Sequence, residues 1–460
     1  MLVAASVATA ARVRGTRKPD RLQTVNSVHD VVTCGGGYDL ATVDGFDRVG
    51  TDCETVTRRT SLDPYRNPDS EHATEVEPDS AAFGTTVVAV FQVGRYFDGG
   101  SHNIGFAVSR NSGLTWKRGF LHGLTPRVSD PAIAYDQKHG EWLAISLVFG
   151  QGSYLAISRS SDGRHWSNPV QAVVTRNALG QDKEWIACDN WPASPHFGSC
   201  YISYSDLVGD QVVAQASSDG GLTWSQAVAA PGKPGRGSID GDFAPGVQPL
   251  VLPTGRVLIP FYDQAKLSVV SSDDGGAHWT EQIGVAPVRY HEQPGLRAAP
   301  LPTSTVSADG RAYVAWSDCS FSPGCKANSI AYTSTTDGIT WTPVTRIPVG
   351  AADAELPGLD ADPSRLGRLA LTYYQVRGSS LDVRFVSSSD AGASWTRPKL
   401  LNSRHVRRGW LASTSLGSMA GDYISTSFAG GRAVPVFVLA QKPRRHRLDE
   451  SLFTSSLAVP

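Results

Sequence analysis

Short runs of alternating apolar and polar residues fill the chain from about residue 77 onward. Tyr154-Leu-Ala-Ile-Ser158 and Leu267-Ser-Val-Val-Ser271 alternate at period two, the period of a half-buried strand. Pro131-Ala-Ile-Ala-Tyr135 and Glu141-Trp-Leu-Ala-Ile-Ser-Leu147 read the same way, and Pro169-Val-Gln-Ala-Val-Val174 adds a shorter run. The pattern predicts strands throughout and negligible helix. No apolar run approaches the roughly 18 to 20 residues of a membrane-spanning helix.

The strands recur in a repeat. Ser217-Ser-Asp219-Gly-Gly221-Leu-Thr-Trp224 has the form Ser-x-Asp-x-Gly-x-x-Trp. The form returns at Asp274 and Trp279 and at Asp390 and Trp395, and once more before Trp116 with Asn111 in place of the Asp. Two more copies, Asp162 with Trp166 and Asp337 with Trp341, set the Asp beside the Gly. The six tryptophans are spaced by 50, 58, 55, 62 and 54 residues, a periodicity that marks repeated structural units. In such a turn the Asp or Asn side chain accepts backbone N–H groups, and Gly supplies positive φ. The Trp is expected to pack its face on a neighbouring layer while its N–H finds a partner. Four strands per repeat of this length predict a propeller blade.

These boxes resemble those of the Asp-box, or BNR-repeat, β-propellers of the sialidase superfamily, over most of the chain. The resemblance implies an all-β propeller with each box on the rim, between the third and fourth strands and away from any active site. Six boxes mark blades beginning near Glu77, Asp130, Asp182, Val247, Pro300 and Leu356. Three further strand candidates follow, in 422–428, 433–439 and 451–455. A fourth strand from the N-terminal stretch near Val28 to Thr33 would complete a seventh blade; six blades is the alternative. The expected organisation is a remnant of a signal peptide at 1–12, an extension at 13–75 and the propeller at 76–460.

Charge and cysteines narrow the setting. The net charge is -1, from 42 basic and 43 acidic residues, which lacks the excess basic charge of a nucleic-acid binder. Six cysteines fall into sequence-local pairs, Cys34 with Cys53, Cys188 with Cys200 and Cys319 with Cys325. Even number and local pairing predict three disulfides and an oxidising compartment, hence a secreted, periplasmic or cell-surface protein. Leu2 to Ala11 reads as the end of a signal sequence with an Ala-Thr-Ala-Ala cleavage zone, without the usual basic start. The stretch from 12 to about 75 is polar and weakly periodic and reads as a loosely docked extension pinned by Cys34 and Cys53. Neither zinc-ligand spacing nor a calcium loop occurs, so no metal or cofactor is expected. A monomer without nucleic-acid or membrane partners is the expected state.

In a propeller the first strand of each blade lines a central channel. The ionisable residues at those strands are Glu75, Glu77 and Asp79, then Asp130, then Asp182, Lys183 and Glu184 beside Trp185. Further along come Asp240 and Asp242, then Arg289, Tyr290, His291, Glu292 and Arg297, then Glu355, then Asp422 and Tyr423. Carboxylates with a Tyr can serve glycosidic displacement, and cations can hold an anionic sugar. By resemblance, Val87 to Arg95 matches a second-strand run ending in a conserved arginine, and Asp98 falls in the loop that carries the acid/base Asp. Tyr423 would then be the nucleophile, polarised by Glu184 or Glu77. Arg95, Arg297, Asp130, Lys183, Trp185 and Asp422 would bind the substrate. One departure stands out: the family's first inner-strand arginine is replaced here by Glu77, which disfavours a sialic-acid carboxylate. The expected function is that of a sialidase-like, retaining glycoside hydrolase on a terminal sugar. The alternative is a non-catalytic propeller that binds glycan or protein at the same channel mouth. Two basic runs, Arg404 to Arg408 and Lys442 to Arg447, read as solvated loops.

Overall fold

The computed structural model describes residues 10–150, 153–174, 180–232, 246–263, 265–444 and 447–460. Residues 2–9 of the signal-like segment lie outside them, as do Asp240 and Asp242 and, in the second basic run, Arg445 and His446. Within the described residues the chain is all-β, and its one helical element is the 3-10 turn Arg408–Trp410. Among the described residues no helix is long and apolar enough to cross a membrane.

The strands fall into seven antiparallel groups of four among the described residues. Sheet one is Glu71–Phe83, Thr86–Arg95, Ser101–Ser109 and Lys117–Phe120, each paired with the next. Sheet two runs from Arg127–Asp136 to Val170–Val174, sheet three from Gln181–Cys188 to Val228–Ala229, and sheet four from Leu250–Val251 to Ile283–Pro287. Sheet five runs from Thr303–Val306 to Thr345–Ile347, and sheet six from Asp353–Ala361 to Lys399–Leu400. Sheet seven is Ser425–Ala429, Arg432–Ala440 and Glu450–Ser455, completed by Thr55–Arg59 from the other end of the chain. The completing strand is therefore not the Val28 to Thr33 stretch, whose strand Val31–Thr33 pairs with Arg12–Arg14 and Arg48–Val49. The first strand of each sheet packs on the first strand of the next, and that of sheet seven packs back on that of sheet one.

An apolar layer fills the gap between successive sheets, and each box supplies its tryptophan to it. Trp166 of sheet two lies 5.8 Å from Phe106 of sheet one, and Trp395 of sheet six 6.1 Å from Tyr332 of sheet five. The turn that delivers each ring is built as its residue types require. Asp219 Oδ1 accepts the N–H groups of Leu222 and Thr223, each at 3.0 Å, and Ser217 Oγ accepts that of Gly221 at 3.0 Å. Gly221 has φ +80°, and a Cβ there would come within 2.9 Å of Leu143 on sheet two. The expected indole bond forms at two boxes only. Trp116 and Trp395 donate to the carbonyls of Gly113 and Gly392, while Trp166, Trp224, Trp279 and Trp341 leave Nε1 buried without a partner. Packing area rather than the hydrogen bond holds these rings.

All three cysteine pairs are disulfides: 34–53, 188–200 and 319–325. Cys188 and Cys200 face each other across the first two strands of sheet three. The bond 319–325 closes the loop after the second strand of sheet five.

The N-terminal segment is not a loose extension. Arg12–Arg14, Val31–Thr33 and Arg48–Val49 stack in parallel, and so do Arg21–Gln23, Leu40–Val43 and Thr55–Arg59. These are successive coils of a small parallel solenoid around Val32, Ala41, Val43 and the 34–53 disulfide. Carboxylates lace coil to coil at the corners: Asp30 accepts from Ala11 N–H, Asp47 from Asp30, and Asp39 from Asp20, at 2.7, 2.9 and 2.7 Å. Strands of two to five residues are too short for a period-two pattern to register, which is why the sequence hides this unit.

Candidate functional site

The first strands do not run straight. Four carry a bulge, at Val76/Asp79, Ser129/Ala132, Asp182/Trp185 and Glu355/Gly358. At each bulge one non-glycine residue sits at positive φ: Glu77 at 52°, Asp130 at 46°, Lys183 at 55° and Leu356 at 52°. Such conformations cost about 1 to 3 kcal/mol each and concentrate at functional sites. Pro78, Pro131 and Pro357 follow three of the four, so an acid-Pro or Leu-Pro step in a strand was the available sequence signal.

The bulges bring three of these side chains into one buried ionic network with Asp422, just ahead of sheet seven. Lys183 Nζ lies 2.6 Å from Asp422 Oδ2 and 3.8 Å from Asp182 Oδ1. Arg297 grips Asp422 with a fork, Nε to Oδ1 at 2.7 Å and Nη2 to Oδ2 at 2.5 Å. Gln92 donates to Glu77 and, at 3.1 Å, to Ser129, and Arg95 donates to Gln92 Oε1 at 2.8 Å. Ser129 donates to Asp130 Oδ1 at 2.9 Å, and Asp182 and Asp130 share a carboxyl–carboxylate hydrogen bond. Gln92 had no sequence signal, because an amide in a strand reads like any polar position.

Burial and neighbours divide these acids into two sorts. Burial, with Asp130 and Asp422 adding repulsion, pushes Glu77 up to about 8. Burial also lifts Asp182 to about 7 despite Lys183, and the charge of Asp130 adds to the rise. Asp422 goes the other way: burial is outweighed by Arg297 and Lys183, which hold it far below the usual range. Asp130 is also lowered, its burial outweighed by Lys183 and the bond from Asp182. At neutral pH the site therefore holds three cations, Arg95, Lys183 and Arg297, against two fixed anions, with protons resting on Glu77 and partly on Asp182. Glu184 is buried next to it with neither carboxylate oxygen partnered, and burial followed by Asp130 raises its carboxyl well above normal. Glu77 Oε1 and Arg95 Nε are also buried and unpartnered. Orphaned groups of this kind call for a ligand, an ion or water.

Beside the network lies a cavity of about 280 Å³ lined by Asp79, Ser80, Trp185, Gln248, Asp360 and Ser425, among others. Asp79 accepts Ile133 N–H at 2.8 Å and Asp360 accepts Thr305 Oγ1 at 2.8 Å. Burial raises them to about 7 and about 6.

Other expected site residues are placed differently. Tyr423 does not pair with Glu184 or Glu77. Its hydroxyl donates to the carbonyl of Pro131 at 3.1 Å, because the Asp130 bulge turns that carbonyl inward, and its ring meets Trp185 edge-on at 4.8 Å. Asp98 stands 72% exposed in an ion pair with Arg127 at 2.6 Å, and that bond lowers its carboxyl below the usual range. A proton donor near neutral pH needs the opposite shift. A Tyr–Glu pair does form elsewhere: Tyr290 Oη donates to Glu355 Oε2 at 3.1 Å, while Asn328 donates to Glu355 Oε1 at 2.7 Å. Burial and then the Glu355 charge raise the Tyr290 phenol strongly, and burial lifts Glu355 to about 8. Beside them His291 Nδ1 lies 2.9 Å from Asp353. Tyr290 and Glu355 are 65 residues apart, so no local motif could have joined them.

The model of the BNR repeat-like domain matches residues 193–423, half of the chain. No curated protein matches the sequence. Solved structures that resemble this one include a Hadza microbial sialidase, at 17% identity and TM-score 0.45 over 72% of this chain and 66% of that one. The NanB sialidase of Streptococcus pneumoniae matches at 16% identity and TM-score 0.43, over 87% of this chain and 71% of its own. An ulvan lyase matches at 12% identity and TM-score 0.48, over 85% and 96%. The present chain thus spans just under two thirds of the Hadza sialidase chain.

Proposed function

This chain belongs to the BNR repeat-like family, and from that premise we propose that its sheets are the blades of a seven-bladed propeller whose channel mouth takes an acidic sugar of an extracellular glycan. The cyclic packing of first strands supports the ring. The three disulfides support an exported protein. The observation that carries the functional reading is the network itself: strained bulges hold three cations against two ionised carboxylates, around buried groups that lack partners. A site with net positive charge and unfilled hydrogen-bond positions suits a carboxylated or sulfated sugar.

The chemistry that fits is acid-assisted cleavage of a glycosidic bond. Asp182 is only partly buried, with its side chain 26% exposed, and its carboxyl holds a proton up to about pH 7. It is the group suited to protonate a departing glycosidic oxygen, and Asp130 takes part in holding that proton. Arg297 commits Nε and Nη2 to Asp422 and keeps its remaining nitrogen outside that fork, for the sugar's anionic group. The expected roles of Asp98 as acid and Tyr423 as nucleophile are not kept in this reading.

The second reading, a glycan-binding propeller without catalysis, is favoured by one observation: Tyr423 and Asp98, the two residues given chemical roles by resemblance, are tied to a carbonyl and to Arg127. A panel of aryl glycosides and uronic-acid oligosaccharides separates the readings. Turnover of any member, abolished by Asp182→Asn, supports the catalytic reading. Binding without turnover supports the second. Neither binding nor turnover of any acidic sugar would end both.

A further inference from the structure

Resting on the reading of the mouth as a glycan site, we infer that three basic segments far apart in sequence form one anchoring face for an extended acidic polysaccharide, leading toward that mouth. The joint between them is Gln23, on the first coil of the solenoid. Its side-chain amide donates to Gln441, and its Oε1 accepts from Ser403 Oγ at 3.4 Å. Lys442 follows Gln441 and Arg404 follows Ser403, both exposed. Arg21 is exposed two residues before Gln23 in the same strand, hence on the same face of it. Arg21 also lies close enough to Arg384 to repel its charge.

The face continues in both directions. Toward the solenoid tip, Arg17 and Lys18 are exposed in the turn that leads into Arg21, and the one acid beside them, Asp20, is occupied by the N–H and hydroxyl of Thr16. Toward the mouth, Arg444 and Arg447 close a tight hairpin by two mutual backbone bonds of 3.0 Å. Arg447 then lines a cleft of about 450 Å³ with Tyr65, Arg66 and His72, a volume that admits a sugar ring. Glu71 ends that cleft and sits opposite Arg95 of the mouth network in the strand register. Among the described residues, none of Arg17, Lys18, Arg21, Lys442 and Arg444 forms an ion pair with a carboxylate.

A protein of net charge -1 does not need a row of uncompensated like charges, whose mutual repulsion opposes folding. A polyanion offsets that repulsion and releases counter-ions when it binds. Among their described residues the three segments present no exposed aromatic ring on which bases could stack, and the one exposed apolar side chain, Pro19, is too small to anchor in a bilayer. Those absences favour a polysaccharide over a nucleic acid or a membrane.

The test uses the whole protein and four polymers: chondroitin sulfate, polygalacturonate, neutral dextran and duplex DNA, with phosphatidylserine vesicles as a fifth surface. The wild type is expected to bind the two acidic polysaccharides and not dextran. The surface variant Arg17→Ser, Lys18→Ser, Lys442→Ser, Arg444→Ser is expected to bind them on the order of tenfold more weakly, with a shallower salt dependence. Binding of short acidic oligosaccharides is expected to be unchanged in that variant. Conversely, Lys183→Met is expected to lose the short oligosaccharides and keep the polymers, so failure of the mouth reading shows separately as polymer binding without any short-ligand binding. Wild-type affinity for polysaccharide in the four-residue variant overturns the anchoring face. So does DNA or vesicle binding by the wild type as tight as its polysaccharide binding.

Discussion

The box turns and the buried ionic network, which are the rim and the mouth of the proposed propeller, use the same materials to opposite ends. Both set acidic side chains at or beside residues with positive φ, in a tight turn at the boxes and in strand bulges at the network. At the rim the box carboxylates are near solvent and receive backbone N–H groups from their own turn. The N–H groups of Ile339 and Thr340, for instance, hold Asp337 at about 2. At the mouth the carboxylates are buried and receive bonds from residues tens or hundreds of positions away, and burial lifts Glu77 and Asp182 to about 8 and about 7. The rim gives a turn whose carboxylate finds its partners within eight residues, although four of the six indole N–H groups beside it find none. The mouth gives a network that is satisfied only by the assembled fold, with atoms left over. Local satisfaction makes a structural motif, and incomplete non-local satisfaction makes a candidate site.

The comparison is broken most directly at Asp422. Arg297→Met removes the forked partner of a buried carboxylate and is expected to cost about 3 kcal/mol, because Lys183 alone is left to compensate a charge that had two partners. Denaturant titration reads this, and a loss below 1 kcal/mol would mean the network is more hydrated than its burial implies.

At the rim, Trp279→Ala is expected to cost about 3 kcal/mol through the cavity left between sheets three and four. Acidic-sugar binding at the mouth should survive in the protein that remains folded. If binding falls while stability holds, the two regions are not separable.

The pH profile sharpens the contrast without any substitution. Glu77 and Asp182 hold their protons in the folded state to about 8 and about 7, whereas in the unfolded chain they release them near 4 to 4.5. Between those limits the folded state binds more protons, so stability falls as pH rises from about 5 to 8. The box carboxylates act in the reverse sense. Asp219, Asp274 and Asp337 are held at about 2, so their contribution is present above about 4 and is lost as pH falls toward 2. Melting temperature is therefore expected to peak between about pH 4 and 6. Glu77→Gln should make the alkaline limb shallower, since Asp182, Asp79 and Glu355 still contribute to it, and leave the acid limb alone. Acidic-sugar affinity should weaken over the same alkaline range, as the mouth gains negative charge.

The smallest expected effect is Asp219→Ala, about 1 kcal/mol for a turn whose N–H groups can turn to water. Chemical unfolding would detect it, and a cost above about 3 kcal/mol would show that the box carboxylate supports more than its own turn.

How much of this was legible in the chain follows from the range of each interaction. Box, strand and disulfide involve residues close in sequence, so Asp219 and Trp224, or Cys319 and Cys325, announced themselves by spacing. The all-β class and the run of four-stranded units followed from those repeats. The individual charged residues of the mouth were also visible as ionisable groups at the starts of units. Their partnerships were not. Arg297 meets Asp422 across 125 residues and Tyr423 meets Pro131 across 292, and nothing in a linear pattern encodes which bulge turns which carbonyl inward. The N-terminal solenoid was hidden for a second reason, since its strands are shorter than the period that would reveal them. The sequence by itself determined the repeat, the turns and the redox state, because each is fixed by contacts within one unit. Only the tertiary structure decided which carboxylates keep protons, which tyrosine finds a glutamate and which basic runs share a face. Burial and pairing are properties of several units packed together, and a single unit's sequence carries no record of its neighbours.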